Sequence, residues 1–189
     1  MADDLTPYQI QRIRDAERIL LKAKKMLDSL DIPFCISSGT LLGIIREGHL
    51  LAHEKDVDLA VISTDLPFRK RYALKKLGGC IGESTCQSGW GQISFAFDIN
   101  PSIHLDISPV YFKGDIAFYN QQDDLCSIFP KKYFVKKNWV KVDYLLKKWN
   151  TPPEPEEFLK VIYGENWRTP VFTWNWTKDS LNTRNFSEI

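Results

Sequence analysis

Residues Ser38-Gly-Thr-Leu-Leu-Gly-Ile-Ile-Arg-Glu-Gly-His-Leu-Leu-Ala-His-Glu-Lys-Asp-Val-Asp-Leu-Ala-Val-Ile62 join a small-residue turn to two carboxylates, Asp56 and Asp58. The sequence from Val57 to Ile62 is otherwise apolar, which is typical of a strand covered on both faces. Side chains two positions apart on a strand share a face, so both carboxylates project from one surface. Because unpaired buried carboxylates are disfavoured, the pair is expected to bind a divalent cation, contact Lys or Arg, or hold a proton. The alternative places Asp56 in the preceding turn and Asp58 beside an arginine, without a metal.

A third acid follows in the segment 103–111, where His104, Asp106 and Ser108 alternate with apolar residues. This alternation predicts a strand with these three side chains on one side. If the strand lies beside the first one, Asp106 completes a cluster of three acids that suits Mg²⁺ or Mn²⁺, since these hard cations prefer oxygen ligands. Such ions stabilise the attacking and leaving oxygens of an in-line displacement. The alternative for Asp106 is an edge or turn carboxylate before Ser-Pro.

The turn Ser38-Gly39-Thr40 is expected to lead into a short helix over residues 41–45. Gly39 lets the backbone approach a ligand closely, and the free N–H groups of a helix N-terminus attract phosphate. Ser38, Gly39 and Thr40 are therefore candidate phosphate-binding residues, with helix capping by Ser38 or Thr40 as the alternative. Arg46, at the end of this helix, is expected to clamp phosphate or to pair with one of the acids.

These segments resemble the signature of the LicD/fukutin phosphotransferases, a branch of the nucleotidyltransferase superfamily. The family pattern runs G-T-L-L-G, then an Arg, then an acidic D-x-D-L/I-A/G strand, and it is matched by residues 39–43, Arg46 and residues 56–60. Residues 105–110 are similar to the strand that carries the third carboxylate. Residues 152–170 are similar to the closing element, a short helix followed by Y-G-x-x-W-x-x-P.

The resemblance implies an α+β nucleotidyltransferase-like fold in which helices flank a mixed central sheet. It implies one catalytic domain over residues 1–189, with the family-like region at about 30–170 and an N-terminal helix at about 6–30. The implied reaction moves a phospho-alcohol, such as phosphocholine or ribitol phosphate, from a CDP-linked donor to a hydroxyl of a glycan or glycolipid. CMP is the implied leaving group.

The resemblance also implies roles for individual residues. Asp56, Asp58 and Asp106 are the expected catalytic and metal-binding residues, and Asp106 is expected to accept the proton of the acceptor hydroxyl. Tyr163 and Trp167, in the closing element, are expected to have a structural role near the site.

One segment departs from the family pattern. The family usually has a Trp and a run of acids before the doublet, whereas this chain has His53-Glu54-Lys55 there. We interpret Lys55 as a base in place of a metal-adjacent acid, where it contacts a donor phosphate or lowers the affinity for the metal.

Two other functions stay open at this point. One is a nucleotidyltransferase that uses a nucleoside triphosphate and releases pyrophosphate. The other is a non-catalytic module that binds a nucleotide or a glycan, which the lysine in place of an acid favours.

Composition agrees with a compact enzyme domain, since the chain has 189 residues, is 43% hydrophobic and carries a formal net charge of +1. This excludes general disorder and a strongly polyanionic partner, so nucleic acid is not expected. The basic stretches 69–76 and 131–148 are interpreted as solvated faces, or else as surfaces for a phosphorylated acceptor or an anionic membrane. The oligomeric state stays open.

No secretory signal and no apolar window of about 18 residues is visible in the sequence. We therefore expect a cytoplasmic protein, with at most peripheral contact to the inner face of the membrane. The four cysteines include no C-x-x-C pair, so free thiols are expected. A zinc site built from Cys80, Cys86, Cys126 and a histidine is the alternative.

The remaining pattern predicts the elements around these segments. Thr6, Pro7 and Gln9 predict a capped helix start, followed by an apolar helix face that ends near Leu30. Further predictions are a helix at 68–77 ending at Gly78-Gly79, strands at 80–86, 92–97 and 116–119, a hairpin at 113–115, a helix at 154–163 and a frayed end over about the last ten residues.

Overall fold

The computed structural model describes residues 5–86, 89–120, 124–171 and 173–189. Its helices are α1 (Pro7–Ser29), α2 (Ser38–Glu47), α3 (Phe68–Gly78), α4 (Pro155–Tyr163) and α5 (Trp176–Asp179). Its strands are β1 (Cys35–Ile36), β2 (Asp56–Ile62), β3 (Cys80–Cys86), β4 (Gly89–Ala96), β5 (His104–Lys113), β6 (Ile116–Asn120), β7 (Leu125–Pro130), β8 (Val140–Tyr144), β9 (Lys147–Thr151) and β10 (Thr183–Asn185).

Helix α1 starts at the capping box that the sequence predicts. The Thr6 hydroxyl accepts a hydrogen bond from the Gln9 N–H over 3.3 Å, and Gln9 Oε1 accepts one from the Thr6 N–H over 2.9 Å. Pro7 occupies the first turn, where a missing N–H removes no intrahelical bond. The apolar side chains from Ile13 to Leu27 are buried except Leu21, which is half-buried, and the helix packs against β2 and β5.

The central sheet is mixed. Its strands run in the order β1-β2-β5-β6-β7-β10, and the β3–β4 hairpin joins it through β4, which pairs with β5. Strands β2 and β5 are parallel, and the other described pairs of this sheet are antiparallel. Because parallel neighbours need a crossover, the chain between them forms α3 and the hairpin. The predicted α+β architecture with a mixed sheet flanked by helices is confirmed.

Several described strands were not predicted, and β7 is one of them. Strands β8 and β9 form a separate two-stranded sheet, and β10 pairs with β7 with Thr183 opposite Ser127. The Leu181 N–H also donates to the Ile162 carbonyl over 3.0 Å, which ties the same segment to α4. The prediction of a frayed end over the last ten residues is therefore wrong, because the sheet holds this part of the chain.

Among the described residues, no helix combines the length and the apolar composition needed to cross a membrane. Cys35, Cys80 and Cys126 are free thiols. The side chain of Cys86, which the alternative zinc site requires, lies outside the described ones.

Candidate metal centre and active-site cleft

Three carboxylates meet where β2 and β5 lie side by side. The parallel register places Asp58 opposite Asp106 and Asp56 opposite His104. Asp56, Asp58 and Asp106 each offer one carboxylate oxygen, and these oxygens lie within 4.8 Å of one another. The structure thus brings together the acids that the sequence placed on separate segments. Asp56 is the first residue of β2, so the alternative that placed it in the preceding turn is wrong.

The N-terminus of α2 holds Asp58 through hydrogen bonds to its backbone and side chain. The Gly39 N–H donates to Asp58 Oδ2 over 3.1 Å, and the Asp58 N–H donates to the Thr40 hydroxyl over 2.7 Å. The Ser37 N–H donates to the Asp58 carbonyl over 3.3 Å. Gly39 and Thr40 thus position the acid, and their contact with a phosphate stays a prediction. The helix cap is Ser37, not Ser38 or Thr40, and its side chain makes no capping hydrogen bond.

Ser38 is the residue of this turn whose side chain faces the cleft described below. Its backbone φ is +46°, in the left-handed region that residues other than glycine rarely occupy. Its hydroxyl lies 3.0 Å from the hydroxyl of Tyr119 on β6. This hydrogen bond helps to hold the turn against the sheet beside the acids.

Asp106 is buried and Asp56 and Asp58 are half-buried, and this removal from water raises the pKa of each carboxyl group. For Asp58, burial raises the pKa well above its usual range, and the charges of the neighbouring carboxylates raise it further. Burial raises the pKa of Asp106 to about 6. Burial also raises the pKa of Asp56, against the positive charges of His104 and Lys55. The protein therefore holds negative charge here against an electrostatic cost.

Asp106 shows most directly that the donor set suits a cation. Its Oδ1 atom is buried and has no hydrogen-bond partner among the described residues, whereas hydrogen bonds from Ser94 and Gln92 to the carboxylate lower its pKa. Two unit charges about 4 Å apart repel by roughly 4 kcal/mol at an effective dielectric constant near 20. A divalent ion would remove this repulsion, and carboxylate oxygens are the ligands that Mg²⁺ and Mn²⁺ prefer. The residues present therefore fit the expected metal.

Glu54 is a further acid of the site that the sequence interpretation missed. A Cβ atom built on Gly39 would lie 3.2 Å from Glu54 Oε1 and 3.4 Å from Asp58 Oδ2, so the two carboxylates flank this glycine. Burial, and then the charge of Asp56, raise the pKa of Glu54 to about 7. Glu54 thus adds an acid to the site, whereas the interpretation of Lys55 as a base in place of a metal-adjacent acid stays a prediction. The position of Glu54 two residues before Asp56 was the available signal, although a turn at residues 52–53 and a bend at Lys55 mean that strand alternation does not place it.

The two predicted cations have different surroundings. Arg46 Nε contacts Glu47 Oε1 over 2.5 Å, and Arg46 Nη1 donates to the Trp167 carbonyl over 3.2 Å. Arg46 therefore pairs with a neighbouring glutamate and anchors the closing element to α2, instead of pairing with the three acids. Lys55 is exposed and lines the cleft beside Asp56, where contact with a phosphate stays a prediction.

The acids open into a cleft of about 990 Å³. Its lining is mainly hydroxyl, amide and aromatic side chains, which come from several parts of the chain. The residues beyond the acids and the α2 turn are His53 and Lys55 before β2, Ser84, Gln92 and Ser94 on the β3–β4 hairpin, Tyr119 and Ser127 on the sheet, and Ile162, Tyr163, Val171, residues 174–177 and Ser180 near the C-terminus.

The two aromatic residues predicted near the site occupy different places. Tyr163 lines the cleft, and its ring lies 5.0 Å from that of Trp174. Burial, followed by the charges of Asp58 and Glu54, raises the pKa of the Tyr163 hydroxyl well above its usual range. Trp167 is only 3% exposed and packs in the core, where its carbonyl binds Arg46.

The architecture is that of the nucleotidyltransferases. The chain is similar to the crystal structure of the lincosamide antibiotic adenylyltransferase LnuA, lincomycin-bound, with a TM-score of 0.50, 12% identity, and coverage of 76% of this chain and 84% of that one. It is also similar to the solution structure of the antibiotic-resistance factor ANT(2'')-Ia, with a TM-score of 0.51, 13% identity, and coverage of 84% and 75%. At these identities the likeness shows the fold alone.

Residues 31–141 match the family described as LicD/FKTN/FKRP, nucleotidyltransferase domain, and the chain belongs to this family. Relatives include the ribitol-5-phosphate transferase FKTN of Homo sapiens, 27% identical, and that of Macaca fascicularis, 28% identical. Both alignments cover 96% of this chain and 39% of the relative. The chain thus spans about two fifths of the length of the curated relatives that it matches.

Proposed function

We propose that this chain is a metal-dependent phosphotransferase that moves ribitol phosphate, or a similar phospho-alcohol, from a CDP-linked donor to a glycan hydroxyl and releases CMP. The observation that carries the proposal is the group of carboxylate oxygens from Asp56, Asp58 and Asp106 within 4.8 Å of one another. Family membership supports phospho-alcohol transfer, and the similarity to the ribitol-5-phosphate transferases FKTN supports ribitol phosphate.

The three acids are the residues that would hold Mg²⁺ or Mn²⁺. When bound, the ion supplies charge neutralisation for the donor diphosphate and for the departing CMP. The protein contributes a fixed geometry, because the α2 turn holds Asp58 at its backbone and at Oδ2. Catalysis of phosphoryl transfer depends mainly on such positioning and on electrostatic stabilisation.

Asp106 is the residue that we assign to the proton of the acceptor hydroxyl. Its Oδ1 atom accepts no hydrogen bond from a described residue, so a lone pair is available there. Hydrogen bonds from Ser94 and Gln92 orient the carboxylate. The acceptor oxygen would attack phosphorus as its proton passes to Asp106, while the bond from phosphorus to the CMP oxygen breaks.

The cleft is suited in size and chemistry to a nucleotide-linked polyol. Its volume of about 990 Å³ lies at the upper end of the range of roughly 300–1,000 Å³ that is usual for small-molecule sites. Hydroxyl groups of Ser38, Ser127 and Ser180 offer hydrogen bonds to an uncharged alcohol, and the rings of Tyr163 and Trp174 offer stacking surface.

The test is release of CMP from a panel of donors. CDP-ribitol, CDP-glycerol and CDP-choline are each incubated with the chain, Mn²⁺ and phosphorylated or unphosphorylated glycan acceptors, and CMP is measured by chromatography. We expect acceptor-dependent CMP with at least one donor and none from the D58N variant. Pyrophosphate released from a nucleoside triphosphate would instead show a nucleotidyltransferase. Binding of CDP with Mn²⁺ but no turnover with any donor would show a non-catalytic module.

A further inference from the structure

The outer side of α3 carries large apolar side chains in contact with solvent. Phe68 is 74% exposed, Tyr72 is 61% exposed and Leu77 is 54% exposed. Ile81, just after the helix, is 56% exposed. Single exposed apolar residues are ordinary, but a contiguous group of them marks an interaction surface.

The same helix is strongly basic. It contains Arg69, Lys70, Arg71, Lys75 and Lys76 and no acidic residue. Arg71 and Lys75 turn inward to Glu83 on β3, and Lys70 donates to the Asp31 carbonyl. Arg69 and Lys76 are exposed on the outer side.

Helical geometry places the outer cations beside the aromatic rings. At about 100° per residue, Phe68, Tyr72, Lys76 and Arg69 fall within an arc of roughly 100°. We call these four residues the α3 face. It combines two aromatic rings that can enter an apolar layer with two cations that can bind anions around them.

We propose that the α3 face docks on an anionic phospholipid surface. Aromatic rings favour the boundary between headgroups and acyl chains, and exposed Lys and Arg residues are attracted to anionic headgroups. The charge complementarity favours a bilayer over a neutral surface, and the convex helix suits a deformable layer better than a shaped groove. This proposal goes beyond the transferase reaction and does not depend on it.

Helix α3, which carries the proposed docking surface, is linked to the cleft through strand β3. Glu83 on β3 is held by Arg71 and Lys75 of the helix, and the next residue, Ser84, lines the cleft. The β3–β4 hairpin thus connects the docking helix to the active-site cleft.

The test is co-sedimentation of the chain with vesicles. We expect binding to phosphatidylcholine vesicles that contain about 30 mol% phosphatidylserine, loss of that binding in high salt, and little binding to phosphatidylcholine alone. R69E/K76E is expected to weaken partitioning by at least about 25-fold, roughly fivefold for each cation removed. F68S/Y72S is expected to weaken it by about tenfold or more while keeping the charge.

The β8–β9 hairpin provides the matched controls. Lys141 and Lys147 are exposed there, and Leu146 is 107% exposed. K141E/K147E makes the same charge change as R69E/K76E, and L146S removes an exposed apolar side chain. Equal losses in the control variants, binding that ignores lipid charge, or unchanged binding of both α3-face variants would overturn the proposal. The proposal would also be overturned if the chain bound no vesicles but captured an acidic protein through the α3 face. Circular dichroism checks folding, and the salt dependence of the wild type tests the proposal even where a variant does not fold.

Discussion

The three carboxylates of the candidate metal centre and the carboxylate of Glu83 on β3 lie on the same sheet and differ in what surrounds them. At the metal centre, Asp58 and Asp106 have raised pKa values, because burial and neighbouring negative charge both favour the protonated form. On β3, burial also favours the protonated form of Glu83, but hydrogen bonds and charge from Lys75 and Arg71 outweigh it and lower the pKa. Among the described residues, His104 and Lys55 lie near the three acids without forming a salt bridge to them, whereas Glu83 forms salt bridges with both Arg71 and Lys75.

The difference distinguishes a candidate metal-binding cluster from a structural ion pair. Glu83 and Arg71 side chains are 12% and 6% exposed, and their pairing fastens α3 to the hairpin. The acids of the metal centre are fixed by hydrogen bonds from the α2 turn and from β4, which orient them without neutralising them. Removing a charge should therefore have opposite effects on stability in the two places.

The largest expected effect is on activity in the D58N variant. Loss of one ligand from the carboxylate group should lower the rate of CMP release by about 10³-fold or more, which is roughly 4 kcal/mol in the barrier. In the metal-free protein the same variant should unfold at a higher temperature than the wild type, because it removes a buried, uncompensated charge. Chromatography of CMP and calorimetry without metal measure the two effects.

The D143N variant is the control for D58N. It makes the same Asp-to-Asn change at Asp143, whose side chain is 77% exposed. D143N should alter neither the rate of CMP release nor the unfolding temperature of the metal-free protein. A D58N protein with near wild-type turnover would refute the assigned metal centre.

A smaller and opposite effect on stability is expected for E83Q. This change removes the negative charge that pairs with the buried guanidinium of Arg71, and we expect a loss of about 2–3 kcal/mol, or about 5–10 °C in Tm. The folded pKa of Glu83 lies below the ordinary value of 4.5, so its contribution is present above that pH and is lost as the pH falls through the folded pKa. The Tm difference from wild type should thus be largest near neutral pH and shrink in acid.

E156Q is the control for E83Q. The Glu156 and Arg168 side chains are each 57% exposed, and such surface pairs contribute at most about 1 kcal/mol. Thermal unfolding of both variants over a range of pH makes the comparison. Equal losses for E83Q and E156Q would contradict the structural role of the inner pair.

Added metal should offset the electrostatic cost of the three acids and leave the Glu83 ion pair unaffected. Mn²⁺ at about tenfold its Kd should stabilise the wild type by about 1.4 kcal/mol through mass action. The D58N variant should lose this response, whereas E83Q should keep it from its lower baseline. A thermal-shift titration with Mn²⁺ and with EDTA measures this, and an equal response in D58N and wild type would place the ion elsewhere.

The smallest expected effect is that of Y119F. The change removes the hydrogen bond of 3.0 Å between Tyr119 and Ser38, which should cost about 1 kcal/mol of stability by urea unfolding. Turnover should fall several-fold, because Ser38 loses support for its positive φ beside the metal centre. Y8F, on a side chain 70% exposed, is the control, and an effect of equal size there would show that the hydrogen bond has no special role.

Local sequence signals predicted much of the fold. The capping box at Thr6 and the glycine after α3 mark helix ends through backbone hydrogen bonding, which neighbouring residues determine. Strand β10 was missed because its three residues carry no alternating apolar pattern and depend on pairing with β7. The β8–β9 hairpin was missed for a related reason, since its exposed lysines are typical of a solvated face.

The acids themselves could be predicted from the sequence, but the roles around them could not. Alternation on two strands indicated that Asp56, Asp58 and Asp106 share a side, and the parallel register brings them together. Whether Thr40 faces a ligand or the backbone of Asp58 depends on how α2 packs on β2. That packing is a tertiary property, and no local pattern in the chain encodes it.

The crossover between β2 and β5 has a consequence for folding kinetics. The doublet and Asp106 lie on strands separated by α3 and the β3–β4 hairpin, so the full ligand set forms only after a non-local parallel pairing. Such pairings form slowly. A cation would then stabilise the native state more than the transition state, and stopped-flow kinetics should show that Mn²⁺ slows unfolding while leaving the refolding rate nearly unchanged.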